Sequence, residues 1–272
     1  MRLLGYFLIT GPALLFSCHK SDPAPIDNTG YSTPNQYAGY TLVWSDEFSG
    51  NSIDQNNWSF EIGNNNGWGN HELEYYTNSP ENAFVSEDNL IIEAKKESIG
   101  GSNYSSARMI TKGKKSFKYG RIDIRAKLPK GKGIWPALWM LGDNIDAVGW
   151  PMCGEIDMME LLGHEPNKVY GTLHWGASPA AHQSYGTSKV LSSGNFADTF
   201  HVFTMKWSQS SIELFVDDVS YFLMDTTNGT FPFNQNFFFI FNVAVGGDWP
   251  GSPDSSTSFP QRMVVDYVRV FQ

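Results

Sequence analysis

Arg121-Ile122-Asp123-Ile124-Arg125-Ala126-Lys127-Leu128 alternates charged and apolar residues with a period of two. Successive side chains of a strand point to opposite faces, so this run sets its apolar residues on one face and its charges on the other. Segment 211–216 alternates less strictly, Asp217-Asp218 makes a turn, and 219–223 returns. Segments 237–245 and 263–271 are further β-branched or aromatic runs. Gly and Pro clusters separate these runs, and no long stretch repeats with a helical period. The pattern predicts an all-β chain, an antiparallel sandwich of many short strands. Sheets of this size are broad and curved, and a curved sheet leaves a concave face that forms a cleft.

Composition narrows the function classes. Charged residues make up 17% of the 272-residue chain, against a typical share of about 25%. Aromatic residues make up 15%. Few charges and many aromatics exclude a disordered chain. The net charge of −9 leaves no basic surface for phosphate neutralisation, so nucleic acid is excluded as a partner. Such an aromatic excess either fills a core or lines a site.

The chain divides into three parts. Residues 1–17 read as a secretion signal, with Arg2 as its positive end and an apolar run broken by Gly5, Gly11 and Pro12. That run is shorter than the roughly 20 residues of a bilayer span. It ends in Leu15-Phe16-Ser17-Cys18, which resembles a bacterial lipobox. Cys18 is then the lipidated first residue and the membrane anchor of an outer-membrane lipoprotein, facing the cell surface or the periplasm. Residues 18–38, rich in Pro, Ser, Asn and Asp, read as a flexible tether. Residues 39–272 show no repeat and no further composition break, and read as one domain. Lipidation of Cys18 leaves Cys153 as the sole thiol, so the fold rests on its core without a disulfide.

The chemistry is concentrated in Gly154-Glu155-Ile156-Asp157-Met158-Met159-Glu160. On a strand Glu155 and Asp157 share a face, and Glu160 has the wrong parity. One β-bulge near Met158-Met159 would return Glu160 to the carboxylate face. The two Glu Cα atoms would then lie roughly 13 Å apart, with side chains able to bring their carboxyls within about 5–5.5 Å, the spacing of a retaining glycosidase. Carboxylates this close resist joint ionisation, so one keeps its proton as a general acid. A solvated acidic strand face would carry compensating Lys or Arg, and none lies between Leu141 and Leu162. A calcium site needs six or more oxygens from a looping chain.

These residues resemble the signature of glycoside hydrolase family 16 in its bulged, laminarinase-type form. The resemblance extends through Trp44-Ser45-Asp46-Glu47-Phe48, Trp68-Gly69-Asn70-His71-Glu72, Ser106-Ala107-Arg108, Gly133-Ile134-Trp135-Pro136-Ala137-Leu138-Trp139-Met140-Leu141, Thr172-Leu173-His174-Trp175 and Asn242-Val243-Ala244-Val245-Gly246-Gly247. It implies a concanavalin-like β-jelly-roll of two curved antiparallel sheets with a concave substrate cleft. It also implies retaining endo-hydrolysis of β-1,3-glucan or mixed-linkage β-1,3-1,4-glucan. Glu155 would be the nucleophile, Glu160 the acid/base and Asp157 their helper.

Spacing alone leaves Trp135 and Trp139 as core or groove residues, and the resemblance moves both to the groove. Trp249 falls in a loop and resembles a sugar-stacking platform. Asn70, Glu72 and Arg108 resemble contacts to sugar hydroxyls, and His174 a contact near the reacting sugar. Cys153 has no evident base and reads as structural. No cofactor is required for catalysis. Many family members hold one structural Ca²⁺ on the convex side. Asp266 matches a ligand there and Glu47 is a second contributor, whereas Asp88 replaces a common Gly. The expected partner is a β-glucan chain, and the protein is expected to be a monomer. A non-catalytic glycan-binding module, or the same fold acting on another polysaccharide or as a transglycosylase, remains open at this level.

Overall fold

The computed structural model describes residues 25–272. The signal at 1–17, the lipidation expected at Cys18 and the start of the tether lie outside the described residues.

Seventeen strands occur among the described residues. In chain order they are β1 (Leu42–Asp46), β2 (Ser59–Glu61), β3 (Glu74–Tyr76), β4 (Ala83–Ser86), β5 (Asn89–Ala94) and β6 (Tyr104–Ser106). There follow β7 (Arg108–Ile110), β8 (Gly120–Lys127), β9 (Ile134–Gly142), β10 (Glu155–Leu161), β11 (Lys168–Trp175) and β12 (Gln183–Val190). The last are β13 (His201–Trp207), β14 (Ser211–Val216), β15 (Val219–Asp225), β16 (Phe237–Val245) and β17 (Gln261–Phe271). One sheet runs β15-β14-β13-β8-β17-β5-β4, with β1 also on β17. The other runs β12-β11-β10-β9-β16-β7-β2. Pairing in both is antiparallel, which gives the expected all-β sandwich of two sheets, and β3 and β6 form a separate two-stranded parallel sheet.

Period-two patterning explains how the sheets close on each other. Phe237, Phe239, Phe241, Val243 and Val245 of β16 face inward, with Ile122, Ile124 and Ala126 of β8 in the same core cluster. Phe238 and Ile240 face the other way and pack with Leu141, Cys153 and Ile110 beneath the concave surface. The aromatic run at 237–239 therefore divides between core and groove wall. The expected turn at Asp217-Asp218 has both residues at positive φ, 52° and 59°. That backbone suits a two-residue hairpin, because its twist matches the flanking strands.

The expected tether differs from what the structure holds over 25–38. The charged face of β8 is buried, not solvated: Arg121, Asp123 and Arg125 are at most 5% exposed. The segment from residue 25 lies across it as a strap. Arg125 donates from Nε to the Tyr31 carbonyl at 2.6 Å, from Nη1 to Asn28 Oδ1 at 2.8 Å and from Nη2 to the Asn28 carbonyl at 2.7 Å. The Tyr37 hydroxyl donates to Asp123 Oδ2 at 2.6 Å, and Thr33 N–H donates to the Tyr267 hydroxyl at 2.9 Å. Ile26 packs with Ile91, Phe200 and Val264. Composition reads these residues as tether because they are short and polar. Their partners are buried charges on a strand far along the chain, and local composition does not register those.

The bulge sits where the carboxylate spacing requires it. From Asp157 to Glu160 the strand β10 advances three residues. Its partners advance two, from Trp139 to Ala137 on β9 and from Thr172 to Tyr170 on β11. The extra residue turns both Met158 and Met159 into the core and returns Glu160 to the face of Glu155 and Asp157.

Candidate active site

The concave sheet carries a groove of about 890 Å³. Strand β10 crosses its centre, flanked by β9 and β11. Glu155, Asp157 and Glu160 line it, as do Trp135, Trp139, His174, Asn70, Glu72, Arg108 and Trp249. The structure thus brings every expected catalytic and sugar-contacting residue into one groove.

Each carboxylate has a defined neighbour. Trp150 Nε1 donates to Glu155 Oε2 at 2.9 Å, and Trp135 Nε1 donates to Glu160 Oε1 at 3.0 Å. His174 Nε2 lies 3.2 Å from Asp157 Oδ2 and 3.9 Å from Glu155 Oε1. The other ring nitrogen of His174 shares a 2.9 Å hydrogen bond with His182 Nε2. Three acids held together away from water cannot all ionise at neutral pH. Burial, then the charge of Asp157, pushes the Glu155 carboxyl up to about 8, while His174 and the Trp150 N–H pull it back. Burial pushes Glu160 well above the usual range, with Asp157 and Glu155 adding to it and the Trp135 N–H opposing. Burial also raises Asp157. The cluster keeps at least one proton at neutral pH, which general acid catalysis requires.

Aromatic plates form the walls. The Trp135 and Trp249 rings meet edge to face at 5.5 Å, and Tyr170 meets Trp249 at 4.9 Å. Trp249 is 41% exposed, consistent with a stacking surface. The Arg108 guanidinium lies 4.8 Å from the Trp68 ring and 4.7 Å from the Trp139 ring, and it pairs with Glu61. Beneath them runs a polar chain. Trp139 Nε1 donates to Asn242 Oδ1 at 2.8 Å, Asn242 Nδ2 to the Tyr76 hydroxyl at 3.0 Å, and that hydroxyl to Glu72 Oε2 at 3.0 Å. Asn70 Nδ2 donates to Glu72 Oε1 at 3.1 Å. Glu72 therefore braces the groove wall from below.

Trp150, His182 and Tyr76 escaped the sequence reading, and Asn242 entered it only as part of the segment 242–247, with no role. Trp150 carried a usable signal: it is a loop tryptophan five residues before Glu155, the same circumstance that singled out Trp249. His182 and Tyr76 carried none: His182 comes in through the loop that joins β11 to β12, and Tyr76 through its bond to Asn242 of β16, 166 residues away in sequence. Cys153 is fully buried and its thiol is pushed up to about 11 by burial and then by Glu155, which suits a structural residue.

The pair expected to hold calcium lies on the opposite sheet, and each carboxylate is committed to an arginine. Asp266 Oδ2 accepts from Arg125 Nη1 at 2.7 Å. Glu47 accepts a two-pronged bond from Arg269, at 2.9 and 2.7 Å. A guanidinium neutralises each acid where calcium would need six or more free oxygens. Both side chains expected to reach calcium are thus engaged by an arginine.

A curved antiparallel sandwich with a tryptophan-walled groove and three coupled acids at its centre is the build of a protein that takes a polysaccharide chain and has the groups for acid/base chemistry on it. Residues 70–269 match the family described as glycosyl hydrolases family 16, and the chain belongs to that family. It is 42% identical over 248 residues to the beta-glucanase of Rhodothermus marinus, covering 86% of this chain and 85% of that protein. It is 52% identical to the laminarinase catalytic domain of Thermotoga maritima MSB8, with a TM-score of 0.81 over 86% of this chain and 98% of that one. It is also 39% identical over 268 residues to glucan endo-1,3-beta-glucosidase A1 of Niallia circulans, covering 89% of this chain. The chain spans 39% of the length of that relative and 34% of another, the clotting factor G alpha subunit of Tachypleus tridentatus.

Proposed function

We propose that the chain is a retaining, endo-acting β-glucan hydrolase that cleaves β-1,3-glucan, mixed-linkage β-1,3-1,4-glucan, or both. The carrying observation is the bulge in β10, which sets Glu155 and Glu160 on one face with Asp157 between them. The Glu155 carboxylate attacks the anomeric carbon while Glu160 gives its proton to the departing glycosidic oxygen. Glu160 then takes a proton from water, whose oxygen displaces Glu155 from the glycosyl-enzyme. Asp157, beside both, raises their proton affinity in turn. Trp135, Trp139 and Trp249 supply flat apolar surfaces for the C–H faces of glucose, a burial worth about 25 cal/mol per Å². The names of the beta-glucanase and laminarinase relatives support the same substrate class. A binding module has no use for the acid pair, so hydrolysis is favoured over binding alone.

Product chromatography on laminarin, lichenan and cellulose side by side tests this reading. Laminarin or lichenan yields a ladder of short oligosaccharides, as an internal cutter requires. Release from cellulose alone would refute the β-1,3 assignment.

The Leu15-Phe16-Ser17-Cys18 run supports a second proposal, that the mature protein is anchored through lipid at Cys18 in a bacterial outer membrane. Labelled fatty acid incorporates into the wild type and not into Cys18→Ala.

A further inference from the structure

The bulge that returns Glu160 to the groove face leaves one residue of β10 without a counterpart. Glu155, Ile156 and Asp157 pair with residues of both β9 and β11, and Glu160 again pairs with both, but Met158 pairs with neither strand. The side chains of Met158 and Met159 lie in the core. Methionine is a deformable filler, so this packing alone fixes the bulge poorly.

A second bulge faces the first from the opposite sheet. From Leu214 to Phe215 the strand β14 advances one residue while β15 steps two, from Phe222 to Ser220, which makes Tyr221 the extra residue. Val219 and Leu223, two positions to either side, are exposed, whereas Tyr221 packs against the core. Its hydroxyl donates to the Met158 carbonyl at 3.4 Å, a long bond, made to the one residue that the strand register leaves over.

Gly171 makes room for this contact. It stands on β11 between Thr172 and Tyr170, the partners of Asp157 and Glu160 on either side of the bulge. It is not among the glycines with positive φ, so its backbone does not call for glycine. Space does: a Cβ there would lie 2.6 Å from the Tyr221 hydroxyl oxygen and 2.5 Å from Leu214 Cδ1.

We propose that Tyr221 is a positioning residue for hydrolysis: its hydroxyl holds the β10 bulge at Met158 and so sets Glu160 where it reaches the glycosidic oxygen. The role is confined to the acid/base. Glu155 and Asp157 precede the bulge in unbroken register and keep their places when it relaxes, while Glu160, just beyond it, moves. Burial, then the charges of Glu160 and Asp157, pushes the Tyr221 hydroxyl up, so it remains a donor at neutral pH.

The inference rests on the hydrolase reading with Glu160 as the acid, and the experiment separates the two. Tyr221→Phe removes the hydroxyl and keeps the ring. The ratio kcat/KM is measured on laminarin, whose leaving sugar needs a proton, and on dinitrophenyl β-laminaritrioside, whose leaving phenolate does not. In both cases it reports the attack by Glu155 and not the later hydrolysis of the glycosyl-enzyme. General acid catalysis is worth about 10²–10⁴ in rate, and a displaced acid forfeits part of it. Tyr221→Phe therefore loses about tenfold on laminarin and stays within about twofold of the wild type on the dinitrophenyl substrate. Gly171→Ala, whose Cβ displaces the hydroxyl, shows the same split. Gly30→Ala, on the strap across the opposite sheet, lowers stability without a split. A wild-type ratio between the two substrates in Tyr221→Phe or Gly171→Ala overturns the proposal, whether the loss is equal on both or absent. The same split in Gly30→Ala also overturns it, because loss of stability alone would then produce the effect. A wild type inactive on both substrates refutes the hydrolase reading instead.

Discussion

Replacing Trp135 by Phe keeps an aromatic ring in the groove and removes the N–H that lies 3.0 Å from Glu160 Oε1. That bond favours the ionised form of Glu160, so its loss raises the carboxyl further. A hydrogen bond to a charged group is worth about 1.5–3 kcal/mol. At 1.36 kcal/mol per unit this is a rise of about one to two pH units. Glu160 must be protonated to act as the acid, so the alkaline limb of kcat moves up by that amount. Trp150→Phe makes the same change at Glu155, which lies 2.9 Å from the lost N–H. Glu155 must be ionised to attack, so here the acidic limb moves up, by the lower figure because Trp150 is 39% exposed and water replaces part of the bond. The assay is reducing-sugar release from laminarin at saturating substrate across pH 4–10, with fluorescence confirming native fold at each point. If both variants moved the same limb, or Trp135→Phe moved only the acidic one, the assignment of the two glutamates would be wrong.

Three further outcomes follow from the same contacts. Glu155→Gln stabilises the fold increasingly as pH rises from about 4.5 to 8. The native carboxyl, pushed up to about 8, holds its proton where the unfolded chain has released it, so the wild type loses stability across this window and the amide does not. Urea unfolding at pH 5 and pH 8 checks this, and an equal gain at both contradicts it. Arg125→Met leaves Asp266 and the carbonyls of Asn28 and Tyr31 without their donor. Because Asp266 is partly exposed, the loss is about 2–3 kcal/mol, below the range for a fully buried pair, seen as a lower urea midpoint with protease cutting within 25–38. Gly30→Ala acts on the same strap. Its φ is +134° and a Cβ would meet the Phe200 carbonyl oxygen at 2.1 Å, so unfolding falls by about 1–3 kcal/mol, and an unchanged melting curve would show that the strap is not held there.

Most of the fold was legible because each sheet has one face turned inward. Alternation in β8 and the apolar runs of β16 and β17 state which residues go there. The shared face of Glu155, Asp157 and Glu160 was legible for the same reason: the wrong parity of Glu160 required a bulge, and Met158-Met159 supplied two residues content to be buried together. Two features were not legible. The polar residues at 25–38 look unstructured because their partners, Arg125 and Tyr267, lie about a hundred residues or more away in sequence. His182 reaches the groove through loop closure, and Tyr76 lies buried beneath it, each with no local pattern of its own. Asp266 and Glu47 are the opposite case. A shared motif position marked them for calcium, and the arginines that occupy them belong to other strands.

The central claim is that Glu155 attacks the sugar. The direct measurement uses a laminari-oligosaccharide fluoride bearing fluorine at C2 of the reacting glucose, which forms the glycosyl-enzyme quickly and hydrolyses it slowly. Intact-protein mass spectrometry followed by peptide mapping locates the adduct. The account predicts one added sugar unit, on the peptide containing 155–160 and fragmenting to Glu155. Attachment at Asp157 or Glu160, or turnover with no adduct and an inverted product anomer, would contradict it.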